Sequence, residues 1–314
     1  MKAKSIICTL IICCIAFVTN AQTDYSVHGS LSKYMYKVRT EKYAPMPSRQ
    51  LYSNENANDL LSLLTSYYTD SLPQVRLKSY YLAYKVAQNV ADSSLKQEAV
   101  MVLVFMLKDT DSGNVGNLTS WLSEFKNEDF NARAKDSLVN VLKTVKYYKA
   151  DIIKLVAFLN LQNQKQFIKN NLVNDVYRSS KDKWAAHLAL ARFGDESEID
   201  FCIDMVKKQG VNDDVVYELI PDLIYTRQKK AIDYAIELLQ DKAKNCTSGN
   251  PEYGGPIMCG YRIMEYLAPV IKEFPLETDL LGDLMVKNYK KALKELREWF
   301  TVHQSDYEII SNTF

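Results

Sequence analysis

The sequence predicts an all-α fold assembled from repeating helices, and three observations predict it. From Asn56 onward apolar residues recur at three- and four-residue spacing, interrupted roughly every 12 to 18 residues by Asp, Asn, Gly or Pro, the mark of amphipathic helices joined by short turns. No stretch alternates with period two for long enough to build a sheet. Residues 199–206, Ile-Asp-Phe-Cys-Ile-Asp-Met-Val, recur 33 positions later as 232–239, Ile-Asp-Tyr-Ala-Ile-Glu-Leu-Leu, with every position identical or similar in character. A repeat of that period turns an all-helical globule into a solenoid.

The elements follow in order. Residues 1–21 read as a secretory signal peptide: Lys2 and Lys4 precede the uncharged apolar run 5–18, and Thr19, Asn20 and Ala21 place small residues before a cut at Gln22. The run falls short of the roughly 20 apolar residues that span a bilayer, so no stable membrane insertion is expected after cleavage. Residues 22–56 form a polar, Tyr-bearing N-terminal arm with Pro45, Pro47 and no sustained period, expected to be extended or partly ordered. Helices are then predicted over 57–69, 73–91, 94–108, 115–126, 131–146, 150–159, 163–174, 182–193, 196–208, 212–226, 228–244, 260–273 and 277–301. Pro221 and Pro269 fall inside two of these and are expected to kink them around the core. A tail, 302–314, closes the chain.

The helices before the repeated octad also superpose. Ala185, Leu188, Ala189 and Phe193 correspond, 31 residues on, to Val216, Leu219, Ile220 and Ile224. A further copy, Ile263, Tyr266, Leu267 and Ile271, follows after 47 residues, which leaves room for an insertion loop at 245–260.

These residues resemble HEAT-like, armadillo-type helical repeats. The family's turn of Asp, four residues, then Val-Arg appears as Asp70 with Val75 and Arg76, followed by the apolar-rich helix 77–90; Asp70 is expected to cap that helix, with Pro73 in its first turn. Residues 183–195, ending Phe193-Gly194-Asp195, are similar to the family's second helix and its closing turn. The resemblance implies a right-handed superhelical solenoid of HEAT-like hairpins over 57–301, and its phase is lost between 94 and 174.

Composition narrows function mainly by exclusion. With 39 Lys+Arg against 38 Asp+Glu there is no global charge to attract nucleic acid, and loss of Lys2 and Lys4 with the signal peptide takes the formal charge from +1 to −1. Among three histidines, His187 has no His, Cys or acid at helical spacing, and His28 and His303 are equally isolated, so no metal or cofactor is expected. No nucleophile-elbow or phosphate-binding glycine motif is present. Aromatic groups such as Tyr80, Tyr81 and Tyr84 are read mainly as packing, and the mixed charges Lys290, Lys291, Lys294, Glu295, Arg297 and Glu298 as a solvated face. Export removes Cys8, Cys13 and Cys14. Cys246 and Cys259 are then expected to form a disulfide across the Gly/Pro-rich insertion, with Cys202 a buried thiol.

The expectation is an exported protein, periplasmic or secreted, acting as a non-enzymatic scaffold for a protein or peptide partner. Asn250, Glu252 and Tyr253 in the insertion are the expected partner-binding residues, and no catalytic residue is assigned. The alternative is a glycan-binding or glycan-processing helical protein using Glu218, Glu265 and Tyr266.

Overall fold

A computed structural model describes residues 26–248, 254–279 and 283–314. Chain contacts divide it at Ala91, and the two units are taken separately.

The first unit holds α1 (Val27–Thr40), α2 (Ala57–Leu64) and α3 (Pro73–Asn89). Helix α1 corrects the expectation of an extended arm: Leu31, Tyr34, Met35 and Val38 make a buried i, i+3, i+4, i+7 stripe against α2 and α3. Tyrosines and lysines between those positions dilute the apolar signal in the sequence. Ser26 starts the helix by accepting from the Gly29 amide at 2.9 Å. Asp70 works one step earlier than expected. Its carboxylate accepts from the Leu72 amide at 3.0 Å, Leu72 is the N-cap of α3, and Arg76 donates back to the Asp70 carbonyl at 2.8 Å. Tyr80 and Tyr84 are core and Tyr81 is half-buried.

The second unit contains α4 (Ser93–Met106), α5 (Ser112–Leu122), α6 (Ala132–Thr144), α7 (Lys149–Phe158), α8 (Lys165–Val173), α9 (Ser180–Arg192), α10 (Glu196–Gln209), α11 (Ile220–Tyr225), α12 (Lys229–Gln240), α13 (Gly260–Leu267) and α14 (Tyr289–His303). The only strands among the described residues are the two-residue pair β1 (Cys246–Thr247) and β2 (Pro256–Ile257), so the fold is predominantly α-helical. The last helix starts twelve residues later than predicted, at Tyr289, because Asn288 supplies the cap, accepting from the Lys291 amide.

Helix contacts sort into two rows. One row runs α7 to α9 to α11 to α13, and a second runs α10 to α12 to α14; α9 with α10, α11 with α12, and α13 with α14 are the rungs between them. The repeated octads lie in the second row. Ile199, Cys202, Ile203 and Val206 are buried on α10, and Ile232, Ala235, Ile236 and Leu239 are buried on α12 at the same 33-residue offset.

The first row corrects the 31-residue register. Its helices end on left-handed residues Asn160, Gly194 and Arg227, which are 34 and 33 residues apart. Before α11 a π-helical turn, Val215–Leu219, fits an additional residue into the coil. Leu219 is therefore rotated to a half-buried position and Ile220 takes the core site. Pro221 follows this turn directly, and Pro269 lies in the 3₁₀ turn Ala268–Val270 after α13, so each sits where regular α hydrogen bonding has already changed.

Candidate functional site

A cleft of about 790 Å³ opens on the first row of helices. Its walls come from α7, α11 and α13, and residues 313–314 of the tail form part of its edge. Pro221 and Pro269, read as structural kinks, both line it. Both breaks in α regularity thus border the cleft.

At its centre Asp222 accepts from Lys154 Nζ at 2.6 Å and from Trp184 Nε1 at 2.6 Å. Lys154 also lies 4.8 Å over the Tyr225 ring. On the α13 wall Glu265 accepts from Arg262 Nη1 at 3.0 Å and from the Tyr289 hydroxyl at 2.9 Å. Burial, the largest influence on Arg262, works against its charge, yet Glu265 and then Tyr217 leave the guanidinium above its ordinary pKa. Burial raises Tyr266 and Tyr289, and for Tyr289 the Glu265 carboxylate adds to the effect. Thus two of the residues considered for a glycan site, Glu265 and Tyr266, reach the cleft, whereas Glu218 is exposed on the π turn and is not among the lining residues.

Beside the cleft the chain's last residues run along the ends of α9 and α11. Arg192, the last residue of α9, donates to the Tyr225 carbonyl at 2.6 Å, to Ser311 O at 3.2 Å and to Thr313 O at 3.0 Å. Arg227 donates to Ile224 O at 2.8 Å, to Ile310 O at 2.9 Å and to Phe314 O at 2.8 Å. Among the described residues neither guanidinium pairs with an Asp or Glu side chain. Burial pulls both below the ordinary arginine pKa; Arg227 falls to about 9, with the neighbouring Arg192 charge adding to the effect and Tyr225 opposing it. The carbonyl ends of α9 and α11 offset part of this, contributing about 0.3–1 kcal/mol for a cation at a helix C-terminus.

Arg227 has φ 55°, where the preceding row-mate has Gly194. The left-handed conformation costs a non-glycine residue roughly 1–2 kcal/mol. The guanidinium's hydrogen bonds are what arginine provides there and glycine does not. Phe314 completes the site, with its ring 5.7 Å from Phe158 and 5.2 Å from Tyr225.

The other sequence-derived residues fall elsewhere. Cys246 and Cys259 are joined by a disulfide that closes the insertion, and Cys202 is buried and free. The disulfide accords with an oxidising compartment. Thr247 donates through its amide to Asp213 at 3.0 Å, so the described base of the loop lies toward the start of the π turn and α11, away from the end that carries Arg227. The residues expected to bind a partner, Asn250, Glu252 and Tyr253, lie outside the described residues, as does the signal-peptide segment 1–21. His187 has an acidic neighbour that its own helix does not reveal, Glu198 of α10 at 2.6 Å, and stacks on Phe201 at 4.0 Å. Arg297 is not part of a solvated face: it donates to Leu239 O at 2.8 Å and Asp241 O at 2.6 Å, closing the end of α12.

Among the described residues no group of three or more His, Cys, Asp or Glu could hold a metal ion, and no helix is long and apolar enough to cross a membrane. Sequence reasoning missed Lys154, Arg192, Asp222, Arg227 and Phe314. The one local signal was an arginine beside an aromatic at two helix ends, in Ala191-Arg192-Phe193 and Tyr225-Thr226-Arg227. No protein-family model and no curated protein matches the chain, so its functional reading rests on these residues themselves.

Proposed function

We propose that this is an exported, non-enzymatic scaffold, periplasmic or secreted, whose second unit is a HEAT-like right-handed solenoid that binds a protein or peptide along its first row of helices. The two rows with regular rungs support the solenoid, and the signal-like residues 1–21 together with the disulfide support export. One observation carries the binding role: Arg192 and Arg227, on successive helix ends, direct their donors at main-chain carbonyls of an extended segment. Donors that read carbonyls recognise a backbone conformation whatever side chains it carries. The insertion 245–260, with Asn250, Glu252 and Tyr253, belongs to this reading as a second contact for the partner.

The test places a photocrosslinking amino acid at Tyr266 in the cleft or at Lys294, an exposed residue of α14, in the natively exported protein. A discrete adduct from position 266 and none from 294 is expected. Adducts from 294 alone, or from neither position, would remove the reading.

The second reading is a glycan site, favoured by the aromatic and polar wall of Arg262, Glu265, Tyr266 and Tyr289. Soluble oligosaccharides that quench Trp184 fluorescence, and lose that effect in Glu265→Ala, would select it over the peptide reading.

A further inference from the structure

We propose that residues 308–314 are an intramolecular stand-in for the partner, and that the partner is an extended peptide segment carrying an aromatic residue where Phe314 sits and an acidic residue beside it. This rests on the peptide-binding reading and deepens it.

The segment is held as a bound peptide is held. It enters through an isolated antiparallel bridge between Ile271 and Ile309, in which the Lys272 amide donates to Glu308 O at 3.0 Å and the Ile310 amide donates to Val270 O at 2.8 Å. From there every main-chain carbonyl through Phe314 accepts from a groove donor. Arg227 takes Ile310 and Phe314, Arg192 takes Ser311 and Thr313, and the Asn127 amide takes Asn312 at 3.0 Å.

Side chains contribute little to this grip. None of residues 308–314 is buried, and Phe314 is only half-buried between Phe158 and Tyr225. The residue just before them behaves differently. Tyr307 is buried at 8% exposure and donates its hydroxyl to Asp233 at 2.7 Å. A segment that serves to hold the fold together buries its side chains, as Tyr307 does; one gripped by its backbone alone opens at low cost.

Charge gives an incoming segment its advantage. The acidic side chain within 308–314 is Glu308, which pairs with Lys272 at 2.7 Å. Arg192 therefore meets only the neutral carbonyls of Tyr225, Ser311 and Thr313. A tethered segment competes at an effective concentration on the order of millimolar. A partner prevails by offering what the tail lacks at Arg192, since a side-chain carboxylate facing that guanidinium makes a charge-assisted hydrogen bond roughly twice as strong as one to a carbonyl.

The experiment uses the full chain and a full-chain variant, Ile310→Pro with Phe314→Ala, which loses the bond to Val270 and the aromatic plug and leaves the groove intact. Two octapeptides carrying the fluorophore at the amino end and a free α-carboxylate at Phe314 are the probes: a copy of residues 307–314, and the same copy with Asn312→Asp. Anisotropy is expected to show at least tenfold tighter binding of the copy to the released variant than to the parent, and several-fold tighter binding again for the acidic peptide. Adding Arg227→Gly, which suits the left-handed backbone at that position, is expected to abolish binding with helicity unchanged. Equal binding by parent and released variant, or none by either, overturns the proposal, and equal affinity for the two peptides overturns the acidic requirement. Loss of helicity in the released variant with a drop in Tm of more than about 10 °C marks the tail as a structural strap and likewise overturns it. A discrete adduct at Tyr266 in the parent together with failure here would retain the scaffold and remove only the stand-in.

Discussion

Trp184 Nε1 and Lys154 Nζ each lie 2.6 Å from an oxygen of Asp222, so one carboxylate ties α7, α9 and α11 together. Asp222→Asn keeps the shape and removes the charge, and its amide turns a donor toward either the lysine or the indole. The expected loss is about 2 kcal/mol, the scale of a hydrogen bond to a charged group. Trp184→Phe should cost about 1 kcal/mol beyond its packing loss. Both contacts share one carboxylate, so the double variant should fall short of the sum. Urea unfolding with a constant m value checks this, and strict additivity would contradict it.

The register of the first row gives a graded prediction. Leu188 and Ile220 are fully buried and Leu219 is half-buried. Aspartate at Leu188 or Ile220 should leave no folded protein at room temperature, because an unpaired charge enters the core. Leu219→Asp should melt lower than the parent yet still fold, and Lys291→Asp on the exposed side of α14 should change stability by at most about 0.5 kcal/mol. Equal melting of the Leu219 and Ile220 variants would mean that the π turn is misplaced.

Closing the loop between Cys246 and Cys259, a separation of 13 residues, is expected to stabilise the protein by about 3 kcal/mol in the chain-entropy model. Cys246→Ser with Cys259→Ser should lower Tm under non-reducing conditions and make it indifferent to added reductant. A parent whose Tm does not respond to reductant would contradict the prediction.

Cys202 is buried, and burial pushes its thiol pKa up to about 12, with Glu198 adding to the effect. It should resist a disulfide reagent at pH 8 for hours and react within seconds in denaturant. Rapid labelling of the folded chain would refute its burial.

Stability should fall at high pH. Burial raises Tyr34 to about 12, and Tyr225 and Tyr307 shift in the same direction. A tyrosine whose folded pKa exceeds its unfolded value of about 10 lends stability that is complete below pH 10 and disappears as pH rises through the folded value. Arg227 acts in the opposite sense, since its folded pKa near 9 lies below that of the unfolded chain and stability gains as pH rises through 9. The tyrosines outnumber it, so net loss is expected above pH 10. Phenolate absorbance should rise in two steps, the second coinciding with loss of helicity; a single step near pH 10 with helices intact would contradict this.

Most of the helical pattern was legible in the sequence, since burial repeats at the spacing of Ile199, Cys202, Ile203 and Val206. Helix α1 was not, because Tyr34 counts as polar by pattern but is 4% exposed in the folded chain. Of the site, Glu265 and Tyr266 were legible as carboxylate and aromatic. Arg192 and Arg227 were not, because their partners, residues 310–314, lie between 83 and 121 positions further along the chain. A contact of that range leaves no spacing to read. Their importance comes from where the tail returns, which only the fold decides.

The π turn before α11 bears on how this architecture can be re-engineered. Hairpins of a regular array can be exchanged, deleted or duplicated as cassettes, since each presents the same faces to its neighbours. Here α10 and α12 keep a 33-residue offset, and so do the ends of α9 and α11, but the π turn at Val215–Leu219 turns the residues of α11 relative to those of α9. A cassette cut from 180–209 and pasted over 212–240 would seat its second-row helix and rotate its first-row one, moving the position of Asp222 off the line between Lys154 and Trp184. The two helix pairs are therefore not interchangeable at that joint, and any graft across it has to carry the irregular turn along.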